Sequence, residues 1–139
     1  MTSAFWIFRT RIGAEPVPLR TTTTGAAKAV GLVIPALAGK LNGLAVRVPT
    51  PTVSLTDFSV VLGKETTPDA INEAFRKAEA GPMAGILGVE AKPLVSSDYR
   101  GDSRSSIVDA ECTMVMNGTL AKVMAWYDNE WGYSSRLVE

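Results

Sequence analysis

The sequence contains no histidine and one cysteine, Cys112. Histidine is the commonest general base and the commonest metal ligand, so the usual side chain for proton transfer near neutral pH is missing. A single thiol without an imidazole leaves no ordinary zinc site and no disulfide within the chain. An excess of either charge is missing too, since 14 basic residues balance 14 acidic ones. That balance argues against nucleic acid and against a membrane surface as partners. No apolar run reaches the roughly 20 residues of a membrane-spanning helix. The opening "MTSAFWIFRTR" lacks the continuous apolar core of a secretory signal, and its arginines leave a transit peptide as the only targeting reading.

What is present fits an ordinary folded chain. Of 139 residues, 46% are apolar and 20% charged, enough for one domain or part of one. From Gly25 to Leu37, Ala29, Val30, Val33, Ile34 and Leu37 recur at helical spacing, and Pro35 and Gly39 end the run. "LAVRVP" alternates as a strand, with Leu44, Val46 and Val48 on one face and Ala45 and Arg47 on the other. "VSLTDFSVVLG" reads as a longer strand. A helix follows, with Thr67 as N-cap, Pro68 in the first position and Asp69 near the positive end of the dipole. Its expected apolar stripe is Ile71, Ala74, Phe75 and Ala78. "GILGVE" is a short strand, and Asn117-Gly118 between two apolar segments marks a hairpin. The expectation is an α+β fold in which strands predominate and two helices accompany them.

Several clusters bear on chemistry. Four threonines, Thr21 to Thr24, precede Gly25 and the first helical run. A helix N-terminus presents unpaired N–H groups, Thr24 adds a hydroxyl, and Gly25 permits close approach of an anion. The residues alone favour simple capping by Thr24. Arg47 is either an exposed strand side chain or a second clamp on an anion. "AWYDNEWGYS" joins aromatics, an amide and carboxylates; it reads either as a strand end packing into the core or as a ligand wall built on Asn129 and Tyr133. Asp57 reads as a buried strand carboxylate satisfied by neighbours. Cys112 has no basic neighbour in sequence and reads as a small core residue, not a nucleophile.

These pieces occur together, in this order, in one family. "TTTGAAKAVGLVIPALAGKLNGLAVRVPTPTVSLTDFSVVL", "PLVSSDYRGDSRSSIVDA" and "VMAWYDNEWGYSSRLV" resemble the later part of the catalytic domain of phosphorylating glyceraldehyde-3-phosphate dehydrogenase. "KLNGLAVRVPTPTVS" and "CTMVMNG" look closest to the cyanobacterial and chloroplast type. The resemblance implies a partial catalytic domain, a mostly antiparallel mixed sheet with helices on one face, without a dinucleotide-binding domain. It implies that Thr24, Gly25 and Arg47 hold phosphate, that Asn129 bonds the nicotinamide carboxamide, and that Tyr133 lies near that ring. It implies NAD or NADP as cofactor, glyceraldehyde 3-phosphate and inorganic phosphate as substrates, and a homo-tetramer. The family's place is glycolysis or the Calvin cycle, in the cytoplasm or the chloroplast.

The family's "SCTTN"-type nucleophile motif and its partner histidine do not occur in these 139 residues. The expectation is therefore a fragment without dehydrogenase activity of its own. The alternative is a non-catalytic module that keeps the family's sheet for oligomerisation or partner binding. Residues 1–20 read differently from 21–139. Permitted codons for "AFWIFRTRIGAEPVPLR", read from the third base, spell "ILDLPHKDRRRARAAA", which resembles the family segment just before "TTTG". The expectation is a frame-shifted, disordered leader over 1–20 and a partial catalytic domain over 21–139.

Overall fold

The computed structural model describes residues 20–23 and 26–139. Thr24, Gly25 and the expected leader up to residue 19 lie outside the described residues. Arg20, the last residue of that leader, opens strand β1 (Arg20–Thr23), so part of the threonine run is strand. Helix α1 (Ala26–Val33) ends before Pro35, whose ring cannot continue it, and a single 3-10 turn over Pro35–Leu37 follows. Strand β2 (Leu44–Arg47) returns antiparallel to β1, placing Arg47 opposite Arg20 and Val46 opposite Thr21.

The remainder builds a four-stranded mixed sheet in the order β3-β6-β5-β4. Strands β3 (Ser54–Val61), β5 (Ser106–Met116) and β6 (Leu120–Tyr127) are antiparallel to their neighbours, while β4 (Leu87–Glu90) runs parallel to β5. The parallel pair requires a crossover, made by residues 91–105 with a 3-10 turn over Ser96–Tyr99, while helix α2 (Pro68–Ala80) lies in the connection from β3 to β4 and packs on β4 and β5. Thr67 caps α2 by accepting from the Ala70 N–H at 3.2 Å. The β5–β6 hairpin turns at Asn117 and Gly118, both at positive φ (50° and 71°), as that dipeptide requires.

Two apolar clusters lie on opposite faces of the sheet, because Ile107 and Val108 are successive residues of β5. Val108, Leu87 and Val123 pack beneath Ile71, Phe75 and Ala78 of α2. Ile107, Val53 and Tyr99 form the other cluster with Leu94 and Trp126. There the Tyr99 and Trp126 rings stack, with centroids 5.6 Å apart. Burial first, and Asp109 second, push the Tyr99 phenol up to about 12.

Three sequence expectations need correction. Ala74 is exposed, and Asn72 is the buried residue of α2 instead. Asn72 serves a bulge in β5: between the Asp109–Met124 and Met114–Lys122 pairs, β5 advances five residues while β6 advances two. Its Nδ2 donates to the Ala110 carbonyl at 2.9 Å, and its Oδ1 accepts from the Thr113 hydroxyl at 2.7 Å. An amide satisfied on both sides is buried at small cost, which apolar periodicity alone does not reveal. Cys112 sits on the same bulge and is half-buried instead of in the core. The described residues hold a third helix, α3 (Asn129–Val138), where "AWYDNEWGYS" suggested a strand end. The Asp57 side chain is 7% exposed, in line with the expectation, and pairs with Lys122 at 2.8 Å.

Candidate functional site

Helix α3 lies across one end of the sheet. Asn129 meets Ser54 at the start of β3, and Arg136 Nη1 reaches the Gly85 carbonyl and the Ser105 hydroxyl, each at 3.4 Å, just ahead of β4 and β5. Gly132 makes the close approach possible: a Cβ there would stand 3.0 Å from the Arg104 carbonyl oxygen. Arg104 is itself fixed. Asp102 accepts from its Nε at 3.0 Å and its Nη2 at 2.5 Å, and the hydrogen bond to Arg104 holds the Asp102 carboxyl below its usual range.

Asp128 begins α3. One carboxylate oxygen accepts from the Trp131 N–H at 3.1 Å, as an N-cap does, and the other accepts from the Gly101 N–H at 2.9 Å. Burial by itself would raise the Asp128 pKa. The N–H donors of Gly101, Trp131 and Glu130 outweigh it and hold the carboxyl below its ordinary value. One side chain thus ties the helix start to the loop after Tyr99.

Asn129 follows. Its Oδ1 accepts from Ser54 Oγ at 2.8 Å, and Ser54 is fully buried. The residue before it, Val53, has φ 66° and is 2% exposed. A β-branched residue in the left-handed region is a true outlier, costing roughly 1–3 kcal/mol. Packing against Tyr99 and Ile107 keeps it there. The Oδ1 of the half-buried Asn129 amide is engaged by Ser54, and among the described residues nothing takes its N–H donors. One turn on, Tyr133 is 65% exposed. A donor amide and an exposed aromatic face suit a flat ring that carries a carbonyl group.

The expected site residues thus divide. Asn129 and Tyr133 share one helix at the end of the four-stranded sheet, while Arg47 stands in the two-stranded one. Arg47 is exposed and makes no ion pair among the described residues. Among the described residues no hydrogen bond or ion pair joins Arg47 to Asn129. Cys112 is no rival centre: burial first, then Asp109, push its thiol up, away from the reactive thiolate. Sequence reasoning missed Val53, Ser54 and Asp128. Asp128 carried a signal, an acidic residue followed by Glu130 in a first helical turn. Ser54 carried none, because its partner is 75 positions away.

A family profile described as "Glyceraldehyde 3-phosphate dehydrogenase, C-terminal domain" matches residues 8–129. The chain belongs to the glyceraldehyde-3-phosphate dehydrogenase family. The match opens at residue 8 and so takes in part of the stretch 1–20. Glyceraldehyde-3-phosphate dehydrogenase 2 of Trichormus variabilis is 56% identical over 129 residues, covering 93% of this chain and 38% of that protein. The chloroplastic glyceraldehyde-3-phosphate dehydrogenase A of Chlamydomonas reinhardtii is 55% identical over 129 residues, 93% of this chain and 34% of that one. Glyceraldehyde-3-phosphate dehydrogenase 1 of Bacillus subtilis is 53% identical over 131 residues, 94% and 38% respectively. The chain spans 34–38% of the length of these curated relatives. The mixed four-stranded sheet with its helices agrees with the C-terminal domain of this family, and the described residues hold no dinucleotide-binding fold.

Proposed function

We propose that this chain supplies the phosphate-holding and nicotinamide-orienting part of a dehydrogenase that oxidises glyceraldehyde 3-phosphate and phosphorylates the product. The observation that supports it most is the Asn129 amide, held by a buried serine with Tyr133 one turn away, in a chain of this family. NAD or NADP, when bound, accepts the hydride. Asn129 bonds the carboxamide of its ring, and Tyr133 flanks the ring and limits the water beside it. Thr24, Gly25 and Arg47 hold phosphate groups: a hydroxyl, close backbone N–H approach and a guanidinium are complementary to a tetrahedral anion.

The 139 residues offer neither a histidine base nor an activated thiol, so they do not turn over the aldehyde unaided. The test is direct. The purified chain is assayed for NAD- and NADP-dependent oxidation of glyceraldehyde 3-phosphate with inorganic phosphate present. Turnover at the rate of an ordinary dehydrogenase would refute the absence of activity. Phosphate titration followed by NMR then probes the anion site. Arg47→Ala is expected to weaken phosphate binding by about 1.5–3 kcal/mol, as for hydrogen bonds between charged groups; unchanged binding removes Arg47 from the site.

The alternative, a non-catalytic module, draws support from the exposed apolar residues Trp131, Tyr133, Leu137 and Val138 of α3. Sedimentation at micromolar concentration separates the two. A stable oligomer that binds neither phosphate nor nicotinamide nucleotide favours the module.

A further inference from the structure

Ser54 is fully buried at the first position of β3, and its hydroxyl donates to the Asn129 side chain, 75 positions later, at 2.8 Å. The residue that delivers it there is Val53, at φ 66°. Strained backbone persists only where the surroundings force it, and such places cluster at working sites. Here the forcing contact is visible: the Val53 side chain is locked between Tyr99 and Ile107, in a cluster that Trp126 also joins. Asp128 fixes the adjacent residue independently through the Gly101 N–H. The backbone of Asn129 is therefore set by Asp128 and the helix, while its side-chain torsion is set by Ser54.

From this we infer that Ser54, carried by the left-handed turn at Val53, is a positioning residue that locks the Asn129 amide in the one orientation that offers its N–H groups to a ligand carbonyl. The inference deepens the reading of Asn129 given above and rests on it for the identity of the ligand. Ser54 does not touch the ligand; it acts through Asn129. An asparagine without this bond populates several side-chain orientations, and each ligand must then select the productive one. A serine that fixes the orientation beforehand removes that loss.

The test uses the whole chain, labelled with 13C and 15N, in three forms: wild type, Ser54→Ala and Ser54→Thr. Three-bond couplings report the Asn129 side-chain rotamer without any ligand. Nicotinamide mononucleotide, the probe, is then titrated while the Asn129 side-chain NH2 signals are followed. The expected result is one rotamer in wild type, averaged couplings in Ser54→Ala, and recovery in Ser54→Thr. The nucleotide midpoint should rise about tenfold in Ser54→Ala and return in Ser54→Thr, the scale of one hydrogen bond. Unaveraged couplings in Ser54→Ala overturn the positioning role, whatever the nucleotide does. Averaged couplings with NH2 signals that no nucleotide moves in any form uphold the positioning and overturn the nicotinamide reading of Asn129. If Ser54→Ala loses its folded fingerprint, the wild-type couplings decide: averaged Asn129 couplings in the wild type refute the role.

Discussion

The two sheets of this chain are held together in different ways. The four-stranded sheet buries Ile107, Val108, Leu87, Val123, Val53 and Tyr99 on its two faces. It also ties its irregularities with side chains: Asn72 to the bulge, Asp128 to the loop after Tyr99, Ser54 to α3. The ribbon of β1 and β2 with α1 has one buried apolar residue among those described, Val46, while Leu32 and Val33 are 84% and 81% exposed. The contrast teaches that apolar periodicity is not itself a core. The same spacing marks α1 and α2, yet α2 covers a sheet face with Ile71, Phe75 and Ala78, while Leu32 and Val33 of α1 stay exposed. The four-stranded sheet therefore accounts for most of the stability, and the ribbon carries Arg47, the anion clamp proposed above, on a support that is lightly packed among the described residues.

The largest expected effect follows from that contrast. Ile107→Ala removes a side chain with no exposed surface and leaves a cavity between Val53 and Tyr99, and urea unfolding should show a loss of about 2–5 kcal/mol. Leu32→Ala in α1 should change the same quantity by less than about 0.5 kcal/mol. Comparable losses at the two positions would abolish the distinction between sheet and ribbon.

Asn72→Ala comes next. It leaves the Ala110 carbonyl without its partner and the Thr113 hydroxyl with only a long contact to the Asp109 carbonyl. The loss should be about 1–3 kcal/mol, the cost of unpaired buried polar groups. Ala74→Ser, on the exposed side of α2, is the control and should have little effect on unfolding. Gly118→Ala should cost about 1–2 kcal/mol, since φ 71° is left-handed and a Cβ would also stand 3.1 Å from Glu65 Cγ. The measurement is the shift in urea midpoint, and an unchanged midpoint would mean that the turn relaxes.

What the sequence showed depended on how local the cause was. The Thr67-Pro68 start of α2 and the Asn117-Gly118 hairpin were legible because each needs only adjacent residues. The α2 stripe was legible at Ile71, Phe75 and Ala78 but slipped at Ala74, because the neighbouring face is completed by an amide whose partners lie 38 and 41 positions on. Helix α3 was hidden by Trp126, Tyr127 and Trp131, aromatics that read as strand on both sides of its cap. At the candidate site, Asn129 and Tyr133 were proposed from the "AWYDNEWGYS" cluster and from the resemblance, whereas Ser54 is visible only when β3 and α3 are brought together.

The smallest expected effect concerns acid, and it sharpens the comparison at the junction of sheet and helix. Asp128 is held below its ordinary carboxyl value in the folded chain, because three N–H donors outweigh its partial burial. A depressed folded pKa means that the unfolded chain binds the proton more readily. The stabilisation is therefore present in full above the unfolded value of about 3.9, and it is lost as pH falls through the lower folded value. Asp102, held down by Arg104, acts in the same direction, so the acid limb of the stability curve has both contributions. Asp128→Asn keeps a good N-cap for Trp131 but cannot ionise. Stability measured by urea unfolding between pH 7 and pH 3 should thus fall less steeply below pH 4 in Asp128→Asn than in wild type, with the Asp102 share of the slope remaining. The exposure of Asp128 and its lack of a charged hydrogen-bond partner keep the difference small. An identical acid limb in the two proteins would show that the link between Gly101 and α3 does not depend on the charge of Asp128.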